Sequence, residues 1–262
     1  MKIKSGDLIL ILSADNKTFL LKVEEGRKLH THKGIIDLDD AIGRSMGDSI
    51  NSSLGNQFFL LEPTVEDRMM KVRRLTQIVY PKDASMIIMN TGITSGMHVI
   101  ECGIGSGAFT ILLSEVVSPN GMVYAYDKKE EFMENALSNI EFAGYRKYVK
   151  PRIADSREGF KESDVDAVLL DLPFPWECVP QSADALRGGG RLASVSPTLN
   201  QVEKTVEIMK NSGFVMINTK EILMRNYIIN TGRSRPADRM IGHTAYITTG
   251  RKTLHRGNAL ND

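Results

Sequence analysis

The run Val99-Ile100-Glu101-Cys102-Gly103-Ile104-Gly105-Ser106-Gly107-Ala108 leaves an apolar, strand-like stretch and opens a helix-compatible one. Glycines at such a turn let a ligand come close to the backbone and aim amide N–H groups at it. Turns of this kind serve nicotinamide, flavin and methyl-donor cofactors alike, but the GxGxG spacing departs from the GxGxxG of dinucleotide sites. Asp127 ends the next apolar run, where a ribose diol would lie. Asp155 ends the one after, placed to accept from an adenine exocyclic amine. Any one of these acids alone reads equally well as a helix N-cap. Glu101, Asp127 and Asp155 at successive strand ends, together with the loop, point to S-adenosylmethionine as donor and S-adenosylhomocysteine as product.

A fourth apolar run, Val165 to Leu170, ends in Asp171-Leu172-Pro173-Phe174-Pro175-Trp176. In an open α/β sheet this end faces the cofactor crevice, which puts Asp171 near the reactive methyl group. The prolines stiffen the loop, and Phe174 or Trp176 offers a flat face for a base. If the acceptor is adenine N1, a carboxylate accepting from the exocyclic amine stabilises the charge that develops there, by on the order of a few kcal/mol. The plainer alternative is that Asp171 only orients the methionine end of the cofactor and the aromatics pack in the core.

These residues need a scaffold, and the pattern around them supplies one. From Met97 onward near-continuous apolar strands alternate with amphipathic helices, the signature of a parallel sheet covered on both faces. Phe214 to Ile222 and Thr244 to Thr249 close that sheet as an antiparallel pair at one edge. Before it, short β runs (Leu8 to Leu12, Thr18 to Val23, Gly34 to Ile36, Phe58 to Leu61) between turn signals predict a small module. Residues 63–82 form a charged, helix-compatible stretch. The expected organisation of the 262 residues is a β-rich module over 1–63, a linker or helix over 64–80, an α/β domain over 81–253 and a flexible tail over 254–262.

Composition narrows the partners. A formal charge of +1 argues against a strongly basic nucleic-acid binder, so any RNA contact must come from local patches. Arg225, Arg233, Arg235 and Arg239 form one such patch and Lys71, Arg73 and Arg74 another; solvated charge explains either alone. Cys102 and Cys178 form no CxxC pair, and the His30-x-His32 pair has no third ligand at a metal-binding spacing, so no metal is expected. His243 is open between a substrate contact and a buried, satisfied histidine. The start, Met1 to Leu12, has two lysines and an apolar run that Asp7 and Asp15 bracket too tightly for a signal peptide or a membrane helix, and a cytoplasmic protein is expected.

The chain resembles the tRNA adenine-58 N1-methyltransferases, in their single-chain archaeal and bacterial form, over almost its whole length. The resemblance is carried by Thr31-His32-Lys33-Gly34, Leu61-Glu62-Pro63-Thr64, Thr76-Gln77-Ile78-Val79-Tyr80-Pro81-Lys82-Asp83, the cofactor loop, Asp171 to Trp176, and Gly242-His243-Thr244-Ala245-Tyr246. It implies a Rossmann-like, seven-stranded class I methyltransferase domain behind the β module, a homotetramer, and a tRNA T-loop substrate modified at position 58, in some archaeal members also at its 5′ neighbour. It further implies that Gln77, the Gly103 to Ala108 loop, Asp127 and Asp155 hold the cofactor, that Asp171 acts on the base and that Tyr80 lies near it. Phe174, Trp176, His243, Arg235 and Arg239 are candidates for the RNA. Two departures stand out: the family often has Glu where Asp127 stands, and a small residue where Cys102 stands, which makes Cys102 a packing residue. Two other readings remain. A class I methyltransferase for isoaspartate or a corrin precursor leaves the N-terminal module and the Asp171 to Trp176 loop unexplained. A noncatalytic tRNA-binding subunit tends to lose the glycine loop and the acid that this chain keeps.

Overall fold

A computed structural model describes residues 2–254; beyond its first residue, the expected flexible tail lies outside them. The chain divides into two compact units, Met1–Val72 and Arg73–Asp262.

The first unit contains β1 (Leu8–Ser13), β2 (Thr18–Lys22), β3 (Lys28–Thr31), β4 (Gly34–Asp37), β5 (Ser49–Asn51), β6 (Gln57–Leu61) and α1 (Val65–Met70). Four strands form an antiparallel sheet in the order β2-β1-β6-β5, and β3 pairs with β4 as a separate hairpin. Their inward residues, among them Ile9, Ile11, Ile36, Phe58 and Leu60, form one core. Strands β3 and β5 escaped the sequence reading because β5 has three residues and β3 shows lysine and histidine on its exposed face. The Leu61-Glu62-Pro63-Thr64 piece starts α1. Thr64 Oγ1 accepts from the Asp67 amide at 3.1 Å, and the Asp67 carboxylate accepts from the Thr64 amide at 2.9 Å.

The stretch read as helix-compatible over 63–82 is helical in α1 and, from Pro81, at the start of the next helix, with irregular backbone between. Thr76, Ile78 and Val79 are β-branched, which disfavours helix, and Pro81 pushes Tyr80 into extended backbone (φ −70°, ψ 152°). Pro81 then occupies the first position of α2 (Pro81–Thr91), and Gly92 closes that helix in the left-handed region at φ 61°. Those two local signals bound a helix that the spacing of its apolar residues does not reveal.

The second unit continues with β7 (His98–Cys102), α3 (Ala108–Val117), β8 (Met122–Asp127), α4 (Glu130–Phe142), β9 (Val149–Ile153), β10 (Val165–Leu170), α5 (Val179–Ala185), β11 (Leu186–Ser196), α6 (Leu199–Asn211), β12 (Phe214–Glu221), the small hairpin β13 (Tyr227–Ile228) and β14 (Arg235–Pro236), and β15 (Tyr246–Lys252). The seven-stranded sheet has the order β12-β15-β11-β10-β7-β8-β9. β15 alone runs against the rest, paired antiparallel to both β11 and β12. Val99, Ile100, Glu101 and Cys102 of β7 are all buried, as expected of a strand covered on both faces. From β7 the chain builds outward through β8 to β9, then returns to place β10 on the other side of β7. That reversal is a topological switch point, and the crevice it opens lies at the carboxyl ends of β7 and β10.

Ile100 is fully buried in the core beneath that crevice. Ile100→Ala is expected to lower unfolding free energy by about 2–5 kcal/mol, read as a lower urea midpoint at unchanged slope.

Candidate active site

The glycine loop is held at the switch point by three close approaches. Gly103 (φ 89°), Gly105 (φ 52°) and Gly107 (φ 76°) all have left-handed backbone. A Cβ at Gly103 would run into the backbone carbonyl of Asp171. One at Gly105 would lie 2.7 Å from Thr76 Oγ1, and one at Gly107 3.1 Å from Ala136 Cβ. The loop therefore touches the end of β10, the segment before α2, and α4. Asp171 donates its backbone N–H to the Cys102 carbonyl at 2.9 Å, extending the β7–β10 pairing by one residue.

Above the loop lies a cavity of about 820 Å³. Of the residues singled out from sequence, Gln77, Tyr80, Gly103, Gly105, Asp127, Asp155, Asp171, Phe174 and His243 line it. Glu101, Ser106, Gly107, Ala108, Trp176, Arg235 and Arg239 are outside its lining. Ser106 is turned to the covering segment: its Oγ accepts from the Leu75 and Thr76 amides at 3.0 and 3.2 Å. Asn139 of α4 reinforces that segment, accepting from the Arg73 amide and donating to the Arg73 and Ser106 carbonyls. Trp176 packs edge-on to Phe174 with Lys204 over its face, and Arg235 pairs with Asp238.

The carboxylates sit in different electrostatic settings. Asp127 accepts from the Lys129 amide at 2.9 Å. Asp155 caps the turn that follows it, accepting from the Arg157 amide, and its two oxygens are gripped by the Arg157 guanidinium at 2.6 to 3.1 Å. That pairing lowers the Asp155 carboxyl to about 2. Asp171 opens to solvent through the cavity but is walled by protein on its other sides, and this desolvation pushes its carboxyl up to about 6. Glu101 is fully buried. Burial pushes it up to about 8, the Thr110 hydroxyl donated at 2.7 Å pulls it partly back, and the nearby Asp171 and Asp127 raise it further. Cys102 is enclosed in the core with its thiol raised by burial, in keeping with a packing role.

Several lining residues had no sequence signal assigned to them. Arg157 joins Asp155 to Glu177. Asp83 and Thr244 form a buried hydrogen-bonded ring with Lys82. His243 has Glu221 Oε1 2.6 Å from Nδ1 and the Pro197 carbonyl 2.9 Å from Nε2. Two acceptors on one imidazole favour the doubly protonated ring, and the His243 pKa is raised. The Tyr80 to Asp83 and Gly242 to Tyr246 pieces could have flagged Asp83 and Thr244; a lone Arg157 in a turn offers no such signal. Among the described residues no cluster of three His, Cys, Asp or Glu is arranged to hold a metal.

The chain is similar to known proteins over most of its length. The family model described as the tRNA methyltransferase complex GCD14 subunit matches residues 56–245. The chain belongs to that family. A tRNA (adenine(57)-N(1)/adenine(58)-N(1))-methyltransferase of Methanocaldococcus jannaschii is 37% identical, covering 92% of this chain and 94% of its own. The crystal structure of tRNA (m1A58) methyltransferase TrmI from Aquifex aeolicus matches with a TM-score of 0.83 and 32% identity, covering 97% of this chain and 100% of that one. A Thermotoga maritima structure described as an S-adenosylmethionine-dependent O-methyltransferase has a TM-score of 0.91 and 41% identity, covering 98% and 96%. The fold is accordingly that of the class I methyltransferases.

The buried Glu101 has a consequence for stability. The folded chain holds the Glu101 proton up to about pH 8, whereas a carboxyl with its ordinary value of 4.5 releases it far earlier. The unfolded state therefore binds fewer protons in this window, and wild type loses stability as pH rises through it. Glu101→Gln removes the titration. Its stability relative to wild type is expected to grow between pH 4.5 and pH 8, measured by urea midpoints at several pH values; a pH-independent difference would contradict the assignment.

Proposed function

We propose that this chain transfers a methyl group from S-adenosylmethionine to N1 of adenine in the T-loop of tRNA, at position 58, with position 57 as a second acceptor like that named for the Methanocaldococcus relative. The observation that carries the reading is Asp171, which stands at the switch point between the glycine loop and the aromatic Phe174, partly desolvated and facing the same cavity.

The cavity fits the donor. Gly103 and Gly105 leave room against the backbone, and Asp127 and Asp155 line the same wall as acceptors for a ribose diol and an adenine amine. A carboxylate has about four lone-pair sites, so Asp155 keeps acceptor capacity beside Arg157. The donor, when bound, supplies an electrophilic methyl group on a sulfonium. Glu101, Ser106, Gly107 and Ala108 act from beneath, fixing the loop. Methylation at N1 leaves positive charge on the adenine ring and its exocyclic amine. Asp171 accepts from that amine, and in a site with reduced water access the attraction is stronger than in bulk solvent. Phe174 offers a stacking face, with Trp176 behind it, and a base must leave its stack to reach them. Tyr80 covers the base from the α2 side. Arg235 and Arg239, outside the cavity, serve the phosphates.

The description of the Thermotoga structure favours a hydroxyl acceptor instead. A hydroxyl must surrender its proton when methylated; His243 has both ring nitrogens directed at acceptors, so that reading would give the proton to the Asp171 carboxylate. We further propose a homotetramer, which would cover the exposed apolar side chains Leu223, Met224, Tyr227, Ile229 and Ile241, and a cytoplasmic location, where tRNA is processed. No helix among the described residues is long and apolar enough to cross a membrane.

Nucleoside mass spectrometry of unmodified tRNA incubated with the protein and donor tests the assignment. The expected product is 1-methyladenosine, and Asp171→Asn is expected to reduce its rate about 10²- to 10³-fold. A ribose 2′-O-methyl nucleoside in its place would establish the hydroxyl reading.

A further inference from the structure

Two pieces of sequence far apart in the chain, Tyr80-Pro81-Lys82-Asp83 and Gly242-His243-Thr244, meet at the cavity wall. Lys82 Nζ donates to Asp83 Oδ1 at 2.8 Å, to Thr244 Oγ1 at 2.6 Å and to the Ile222 carbonyl at 2.8 Å. All three of its N–H groups are thereby used. The Thr244 hydroxyl, having accepted from Lys82, passes its own hydrogen to Asp83 Oδ2 at 2.6 Å. The three side chains close a ring, with the Lys82 and Asp83 side chains only 8% and 2% exposed.

A buried ion pair is a weak source of stability, because desolvation cancels much of the attraction. Its hydrogen bonds are directional, however, and these tie the first turn of α2 to the end of β12 and the entry into β15. Asp83 also donates its backbone N–H to the Tyr80 carbonyl at 3.0 Å, and Ala84 does so at 2.9 Å. The ring is therefore one hydrogen bond from Tyr80, which faces the cavity along with Asp83 and Thr244. On the opposite side of the same strand entry, His243 is fastened to Glu221 and Pro197, so the anchor point itself is held at the ends of β11 and β12.

We propose that Thr244 is a positioning residue for methyl transfer: its hydroxyl, through Lys82 and Asp83, sets where Tyr80 stands over the target base relative to Asp171. This rests on the adenine N1 reading above. The role requires a hydroxyl at residue 244 and not merely a side chain of that volume, since only the hydroxyl both accepts from Lys82 and donates to Asp83.

Thr244→Val keeps the shape and removes the hydroxyl. It is expected to lower kcat for tRNA about ten- to hundredfold, the scale of a misplaced contact. Calorimetric Kd for S-adenosylhomocysteine should stay within about threefold, and Thr244→Ser should recover most of kcat. Hydrogen exchange at the Asp83 and Ala84 amides should quicken in Thr244→Val and return in Thr244→Ser, a readout that needs no substrate. Unchanged kcat and exchange in Thr244→Val would overturn the proposal. So would a parallel loss of kcat, cofactor-product binding and thermal midpoint, which would mark a residue that only holds the fold. Should Thr244→Val fold poorly, the apolar triple variant Lys82→Met, Asp83→Leu, Thr244→Val removes the ring without leaving a buried polar group unpaired; a stable triple with wild-type kcat would overturn it equally. A wild-type protein that methylates no adenine would instead sink the function assignment, and the exchange rates would still decide the ring.

Discussion

The site depends on the contact between the glycine loop and the end of β10. Gly103 lies so close to the Asp171 backbone carbonyl that no side chain fits between them, and the Asp171 amide completes the pairing of β10 with β7. That contact brings the loop that would hold the donor and the acid that would meet the acceptor into one crevice. Removing the space for that close approach would push the loop away from Asp171, whatever became of the other side chains. Left-handed backbone at Gly103, Gly105 and Gly107 is the local requirement, and it is met by the residue type that adopts it without strain.

Around this contact the acids divide into roles by their surroundings. Asp155 is bound by Arg157 and stays ionised far into acid, Asp171 is partly desolvated, and Glu101 is buried with the Thr110 hydroxyl as its donor. One residue type, the carboxyl, thus occurs ion-paired, partly desolvated and fully buried within a few strand ends of one another. Position along a strand end is common to all of them; the difference is how much water and which partners each one meets.

The covering segment shows the same division between local and long-range control. Residues 73–80 have no regular structure, yet they are fastened by Ser106 and Asn139 and by the turn of α2 beyond. Tyr80 reaches the cavity wall at the end of this irregular backbone, in extended conformation just before α2.

Much of this was legible in the residues themselves. The alternation of apolar strands and helices, the glycine loop, and acids at successive strand ends each depend on interactions over a few residues, and the sequence carries such patterns directly. Pro81 and Gly92 are local signals of the same kind that bound α2, but the apolar pattern between them does not mark a helix. The tertiary structure alone decided that β15 slips antiparallel between β11 and β12, that Asp155 is already gripped by Arg157, that Ser106 faces the covering segment, and that Lys82, Asp83 and Thr244 close a ring. In each of these a hydrogen bond or strand pairing joins separate elements, or a side chain chooses among partners its neighbours in sequence do not specify. Local patterns set which elements form, while the packing of those elements decides which polar groups find one another.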